Sequence, residues 1–137
     1  MLNLRQGRRW VNVFPVSATM VIDKNNEWRT MPKYLISFPS KAMSVPDEEL
    51  AAVGAAANAV TEEAIAAGVY VFACGIEDKV DPVLVSADGS VSSEIYPGSE
   101  ITGGFTILDL PDRQAAEEWA RKFAVACRCS QELREVA

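Results

Sequence analysis

A chain of 137 residues, 49% apolar and 23% charged, is sized for one domain around one core, and none of its apolar runs reaches the roughly 20 residues that span a bilayer. Thirteen basic against nineteen acidic side chains leave a net charge of −6, unevenly placed: residues 1–30 hold five basic and two acidic groups, the remainder eight and seventeen. An acidic body repels phosphate backbones, and the absence of histidine removes the commonest general base and metal ligand. Neither nucleic acid nor membrane is therefore expected as a partner, and no cofactor or metal.

The chain opens on a basic stretch, Arg5-Gln6-Gly7-Arg8-Arg9-Trp10. The run after it, residues 11–22, contains Asn12, Pro15 and Ser17 and lacks a small-x-small cleavage pattern, so it does not read as a signal peptide and a cytoplasmic location is expected. Val11-Asn12-Val13-Phe14 and Met20-Val21-Ile22 are short runs with β preference, and Asp23-Lys24-Asn25-Asn26 before Trp28 is a turn signal. Residues 1–30 form an N-terminal extension. It is either a short extra hairpin or a stretch translated from an early start codon, with Met31 the natural beginning.

Residues 31–137 read as the domain proper. Lys33 to Phe38 predicts a strand with large apolar residues on both faces. Ser44-Val45-Pro46-Asp47 has the spacing of a capping box, and Leu50, Val53, Ala57, Val60, Ala64 and Ala67 make a helical stripe that stops at Gly68. Val69 to Ile76 predicts a second strand. Asp88-Gly89 predicts a hairpin between Val83-Leu84-Val85-Ser86 and Val91.

Phe105 to Leu110 is the next strand, with Asp109 placed to help cap the turn that follows it. Asp112 is the expected cap of a helix whose stripe is Ala116, Trp119, Ala120 and Phe123, and Ser130 to Val136 closes the order. Strand, helix, strand, hairpin, strand, helix, strand is an α+β pattern: a ferredoxin-like antiparallel sheet with both helices on one face. Apolar residues on both strand parities leave the second sheet face to be covered, which predicts a homodimer stacked sheet to sheet.

Residues 31–137 resemble the YCII-related proteins, and among them the DGPF-domain branch. The resemblance rests on Lys33-Tyr34-Leu35, Pro46-Asp47-Glu48-Glu49-Leu50, Glu62-Glu63 before Ala66-Ala67-Gly68, Glu100-Ile101-Thr102-Gly103-Gly104-Phe105, Leu110-Pro111-Asp112 with Glu118-Trp119-Ala120, and Glu132-Leu133-Arg134. It implies a ferredoxin-like subunit that dimerises into an α/β barrel. It also makes a regulatory role thinkable, because some members are fused to transcription-initiation factors. Members of the YCII branch carry a histidine in the first helix and an aspartate after the second, proposed as a catalytic pair. Here those positions fall near Ala56 or Ala57 and near Lys122-Phe123, none of which transfers a proton at neutral pH. The DGPF signature, expected near Ser92-Ser93-Glu94-Ile95, is degraded as well.

The polar groups left as ligand-binding candidates are Arg134, Glu132, Tyr34, Tyr96, Glu94 and Glu100. Glu132 and Arg134 are two apart on the last strand and share a side, so Arg134 can grip a carboxylate or form a surface ion pair with Glu132. Tyr96, Glu94 and Glu100 sit in the segment that replaces the signature. Glu77-Asp78-Lys79-Val80-Asp81 is dense in acids but lacks the glycine and ligand spacing of a calcium loop. Cys74, Cys127 and Cys129 cannot make a four-ligand zinc site without histidine and are expected as reduced thiols.

Two functions fit this chain. One is a homodimeric α/β-barrel module that binds a small apolar or carboxylate-bearing molecule without chemistry. The alternative is a histidine-free enzyme of the isomerase, lyase or monooxygenase kind. Deleting residues 1–30 is expected to leave a cooperatively folding domain, because the core pattern begins at Tyr34. A truncated protein that melts without a sigmoidal transition would place the extension in the core.

Overall fold

Strict alternation in two strands sets the architecture. In Lys33–Phe38, Tyr34 and Ile36 are buried between less buried neighbours, and in Gly104–Asp109 the buried set is Gly104, Thr106 and Leu108. The two strands pair antiparallel with Tyr34 opposite Leu108 and Ile36 opposite Thr106, so the buried residues of both point to one side.

The computed structural model of the protein describes residues 2–6, 9–12, 20–22 and 24–136. In chain order the strands are β1 Leu2–Gln6, β2 Arg9–Asn12, β3 Met20–Ile22, β4 Trp28–Thr30 and β5 Lys33–Phe38. Helix α1 (Leu50–Ala66), β6 (Tyr70–Gly75), β7 (Leu84–Val85), β8 (Val91–Ser92), β9 (Gly104–Asp109), α2 (Arg113–Cys127) and β10 (Glu132–Val136) follow. From β5 onward this is the expected order of strand, helix, strand, hairpin, strand, helix, strand. Ahead of it, β1 pairs with β2 and β3 with β4, each as a separate two-stranded antiparallel sheet. The turn between β3 and β4 places Asn26 in the left-handed region. Val13, Phe14 and Asp23, on which the reading of the extension partly leans, lie outside the described residues.

The main sheet is antiparallel throughout, in the order β10-β5-β9-β6, with β10 and β6 as open edges. One chain thus makes an α+β fold with an open sheet and not a closed barrel. Both helices contribute to the cluster that buries one face: Tyr34, Ile36, Leu108 and Leu110 from the strand side, Ala64 from α1, and Ala116 and Phe123 from α2. The opposite face is also apolar, with Leu35 opposite Ile107, Ile107 opposite Phe72, and the Phe72 and Phe105 rings 6.1 Å apart. An ion pair of 2.7 Å between Lys33 and Asp109 closes one end of that face. Among the described residues no helix is long and apolar enough to cross a membrane.

Two capping expectations change. Ser44 does not cap α1. Pro46 holds an extended conformation, a 3-10 turn over Asp47–Glu49 follows it, and the α-helix starts only at Leu50 with no side-chain cap. The ring of Pro46 keeps the residue before it extended, which separates Ser44 from the helix start. Asp109 gives its carboxylate to Lys33 instead of the next turn. Asp112 alone caps α2, accepting from the Ala115 N–H at 2.8 Å. The other expectations hold: Gly68 ends α1 with φ +74°, and Asp88-Gly89 turns the β7–β8 hairpin with Gly89 at φ +87°.

The excursion between β6 and β9 is fastened at its base. Ile76 N–H donates to Gly103 O at 2.7 Å, and Gly103 N–H donates to Ser40 Oγ at 2.8 Å. The Ser40 hydroxyl donates to the Asp78 carboxylate at 3.0 Å, and Ser40 N–H donates to Thr102 Oγ1 at 3.0 Å. Gly103 has φ +75°, and a methyl group there would overlap the Phe38 carbonyl oxygen. Gly103→Ala is therefore expected to cost at least ~2 kcal/mol, from left-handed strain plus displacement of that carbonyl. Gly54→Ala in α1, where an added Cβ meets nothing within 4 Å, is expected to gain ~0.5–1 kcal/mol. Urea unfolding of the two variants checks both signs.

Candidate functional site

Helices and sheet do not close on each other along their whole length. At one end Ala64, Ala116, Leu108 and Leu110 pack with almost no exposure. Toward the other end the facing surfaces carry small residues, Gly54 and Ala57 on α1 and Ala73 and Gly104 on β6 and β9, and a cavity of about 580 Å³ remains. Ile36 and Thr106 form its floor, while Val53, Ala57 and Thr61 of α1 and Phe123 and Cys127 of α2 form its walls. Among the described residues no aspartate, glutamate, lysine or arginine lines it.

The polar groups on this cavity have defined partners. Thr106, nine-tenths buried, donates its hydroxyl to the Phe72 carbonyl at 3.2 Å. Thr61 donates to the Ala57 carbonyl of its own helix at 3.1 Å. The Gln131 amide nitrogen donates to Cys129 O at 3.2 Å and to Cys129 Sγ at 3.6 Å. Asn58 and Tyr70 line the cavity from exposed positions.

Cys74, Cys127 and Cys129 are all unpaired. Burial pushes the Cys127 thiol above its ordinary pKa, and neighbouring Cys129 adds to the effect. Burial also raises Cys129, opposed by the hydrogen bond from Gln131. Raised values keep both sulfurs protonated, the unreactive form.

The residues singled out from sequence are not gathered in one place. Arg134 and Glu132 share a side of their strand as expected; the register puts that side on the helix-free face, where they pair with each other at 3.2 Å, both more than half exposed. They line a cleft of about 480 Å³ between that face and residues 98–102, which brings Glu100 to the same cleft. Tyr96, 70% exposed, lines another cleft, of about 800 Å³, together with Glu100 and Asp78. Glu94 is exposed, its backbone N–H bonded to Ser92 Oγ. Tyr34 is 4% exposed within the core and lines none of these spaces. Burial raises its pKa, with Glu135 and Asp112 adding and Arg113 opposing.

Sequence reasoning missed the cavity between helices and sheet. Its signal was faint: glycine and alanine at sheet-facing positions that a tightly packed helix would fill with larger residues.

Residues 32–136 match the family model of the YCII-related domain. No curated protein matches the chain.

Above the ordinary thiol pKa the unfolded chain ionises while buried Cys127 stays neutral. Stability is therefore expected to be complete below that value and to fall as pH rises through it, with Tyr34 adding to the loss above about pH 10. Urea midpoints at pH 7, 8.5 and 9.5 check the slope, which Cys127→Ala should flatten. Native Cys127 should also alkylate on the order of 100-fold more slowly than in urea.

Proposed function

The chain belongs to the YCII-related domain family, and from that premise we propose that it is a small-molecule-binding or regulatory module without the family's histidine–aspartate pair. It works as a homodimer of ferredoxin-like subunits, of the DGPF branch, in the cytoplasm. The observation that carries this reading is the lining of the helix–sheet cavity. Ala57 and Phe123, which stand at or beside the positions where the pair is expected, both line it, and among the described residues no group charged at neutral pH accompanies them. A cavity of that kind binds by shape and desolvation, and offers no general base.

The strand order β10-β5-β9-β6 supports the ferredoxin-like reading, since it places the fourth, first, third and second strands of the main sheet, numbered in chain order, side by side. Leu35, Phe72, Phe105 and Ile107 support the dimer: they make an apolar patch on the face that lacks helices. Three unpaired thiols suit a reducing compartment. For an anionic ligand the supported anchor is Arg134, whose cleft lies on that same face.

Light scattering at micromolar concentration is expected to give twice the chain mass, and Ile107→Arg to give the monomer. The neutral dye Nile red should brighten with the native protein and lose at least about three-quarters of that signal in Ala57→Phe, which fills the cavity. A monomer mass for the native protein removes the dimer. Dye binding indifferent to Ala57→Phe removes the cavity as the site.

A further inference from the structure

The hydrogen-bond partners around the helix–sheet cavity leave it with one kind of polar group. A threonine hydroxyl has one proton and two lone pairs. Thr106 has directed its proton to Phe72 O and Thr61 has directed its own to Ala57 O, so both turn only lone pairs toward the space they line. Gln131 has its amide nitrogen on Cys129 and retains its carbonyl oxygen. The Gly103 N–H on the cavity wall belongs to Ser40 Oγ. The Cys127 thiol is a weak donor, Cys74, opposite Phe105 in the register of β6 on β9, directs its thiol to the helix-free face, and the stronger donors, Asn58 and Tyr70, stand at exposed positions. Among the described residues, and apart from the weak Cys127 thiol, the interior accepts, and the strong donors stand where solvent reaches.

We propose that this cavity takes an uncharged ligand with an apolar body that presents a hydrogen-bond donor, a hydroxyl or an N–H, inward to Thr106. The inference rests on the reading of the cavity as the binding site and adds the polarity of its occupant. An ether oxygen in that place meets lone pairs and leaves both sides unsatisfied. A carboxylate meets lone pairs as well, in a space that no cation among the described residues lines, and loses its hydration without compensation. Any acceptor the ligand carries belongs at the mouth, near Asn58 and Tyr70.

Three probes of one shape separate these cases by calorimetric titration of the full chain: 2-naphthol, 2-methoxynaphthalene and 2-naphthoate. Naphthol is expected to bind about fivefold to tenfold more tightly than the methyl ether, the range of one net hydrogen bond, and naphthoate more weakly than either. Thr106→Val keeps the β-branched shape and removes the acceptor, so it should bring naphthol and the ether to within about twofold of each other. The comparison in the unaltered protein decides the matter even if that variant does not fold. An ether that binds as well as naphthol overturns the donor preference and leaves the neutral cavity standing. Naphthoate as the tightest probe with its binding lost in Ala57→Phe, which places it in this cavity and not at Arg134, or no binding by any of the three, overturns both.

Discussion

The contact on which this structure depends is the one between small residues where the two helices meet over the sheet. Ala64 of α1 and Ala116 of α2 are both fully buried in the cluster that holds Leu108, Tyr34 and Phe123. Side chains of that size let helix backbones come close and settle onto the strands, so Leu108 and Leu110 reach almost zero exposure. Two helices anchored there do not also close on the far end of a four-stranded sheet, where α1 offers Gly54 and Ala57. The cavity is the remainder of that packing. Its shape is set by what holds the helices at the opposite end.

Charge is kept out of the same region. Among the described residues, Lys33 pairs with Asp109, Arg113 with Glu117, Lys122 with Glu63, Arg128 with Glu49 and Arg134 with Glu132. Only the first of these is well shielded from solvent; the exposed pairs each contribute about 0–1 kcal/mol. Lys122 also lies over the Trp119 ring at 4.7 Å, next to the Phe123 position where the family's acid is expected. The outward-facing lysine and the inward-facing phenylalanine leave the cavity neutral. The small-molecule binding proposed for it would rest on desolvation and on a few directed hydrogen bonds.

The clasp around Ser40 completes one wall. Its hydroxyl and amide join the chain after β5, the acid run after β6 and Thr102-Gly103 before β9, three segments distant in sequence. Gly103 and Gly104 line the cavity directly, so the conformation fixed by the clasp also fixes the cavity's edge. Asp78, part of a run whose acid density suggests ion binding, serves there as the acceptor of a serine hydroxyl.

What the sequence determined by itself was whatever depends on neighbours a few residues apart. The strands β5 and β9, the stripe of α2, the Asp112 cap, the Gly68 stop and the Asp88-Gly89 turn are local rules, and each was legible. So was the shared side of Glu132 and Arg134, which follows from the two-residue repeat of a strand. Which parity of β5 and β9 is buried was not legible, because both carry apolar residues. The Ser44 cap failed because Pro46 between it and the helix imposed an extended backbone. Tertiary structure alone decided the fate of Tyr34, buried under the helices, and of Asp109, drawn to Lys33 by the register of β5 on β9. It alone decided the cavity. A void belongs to no residue: it is the difference between surfaces contributed by Ile36, Ala57, Thr106 and Phe123, which come together only when the chain has folded, and no local period records what those surfaces leave unfilled.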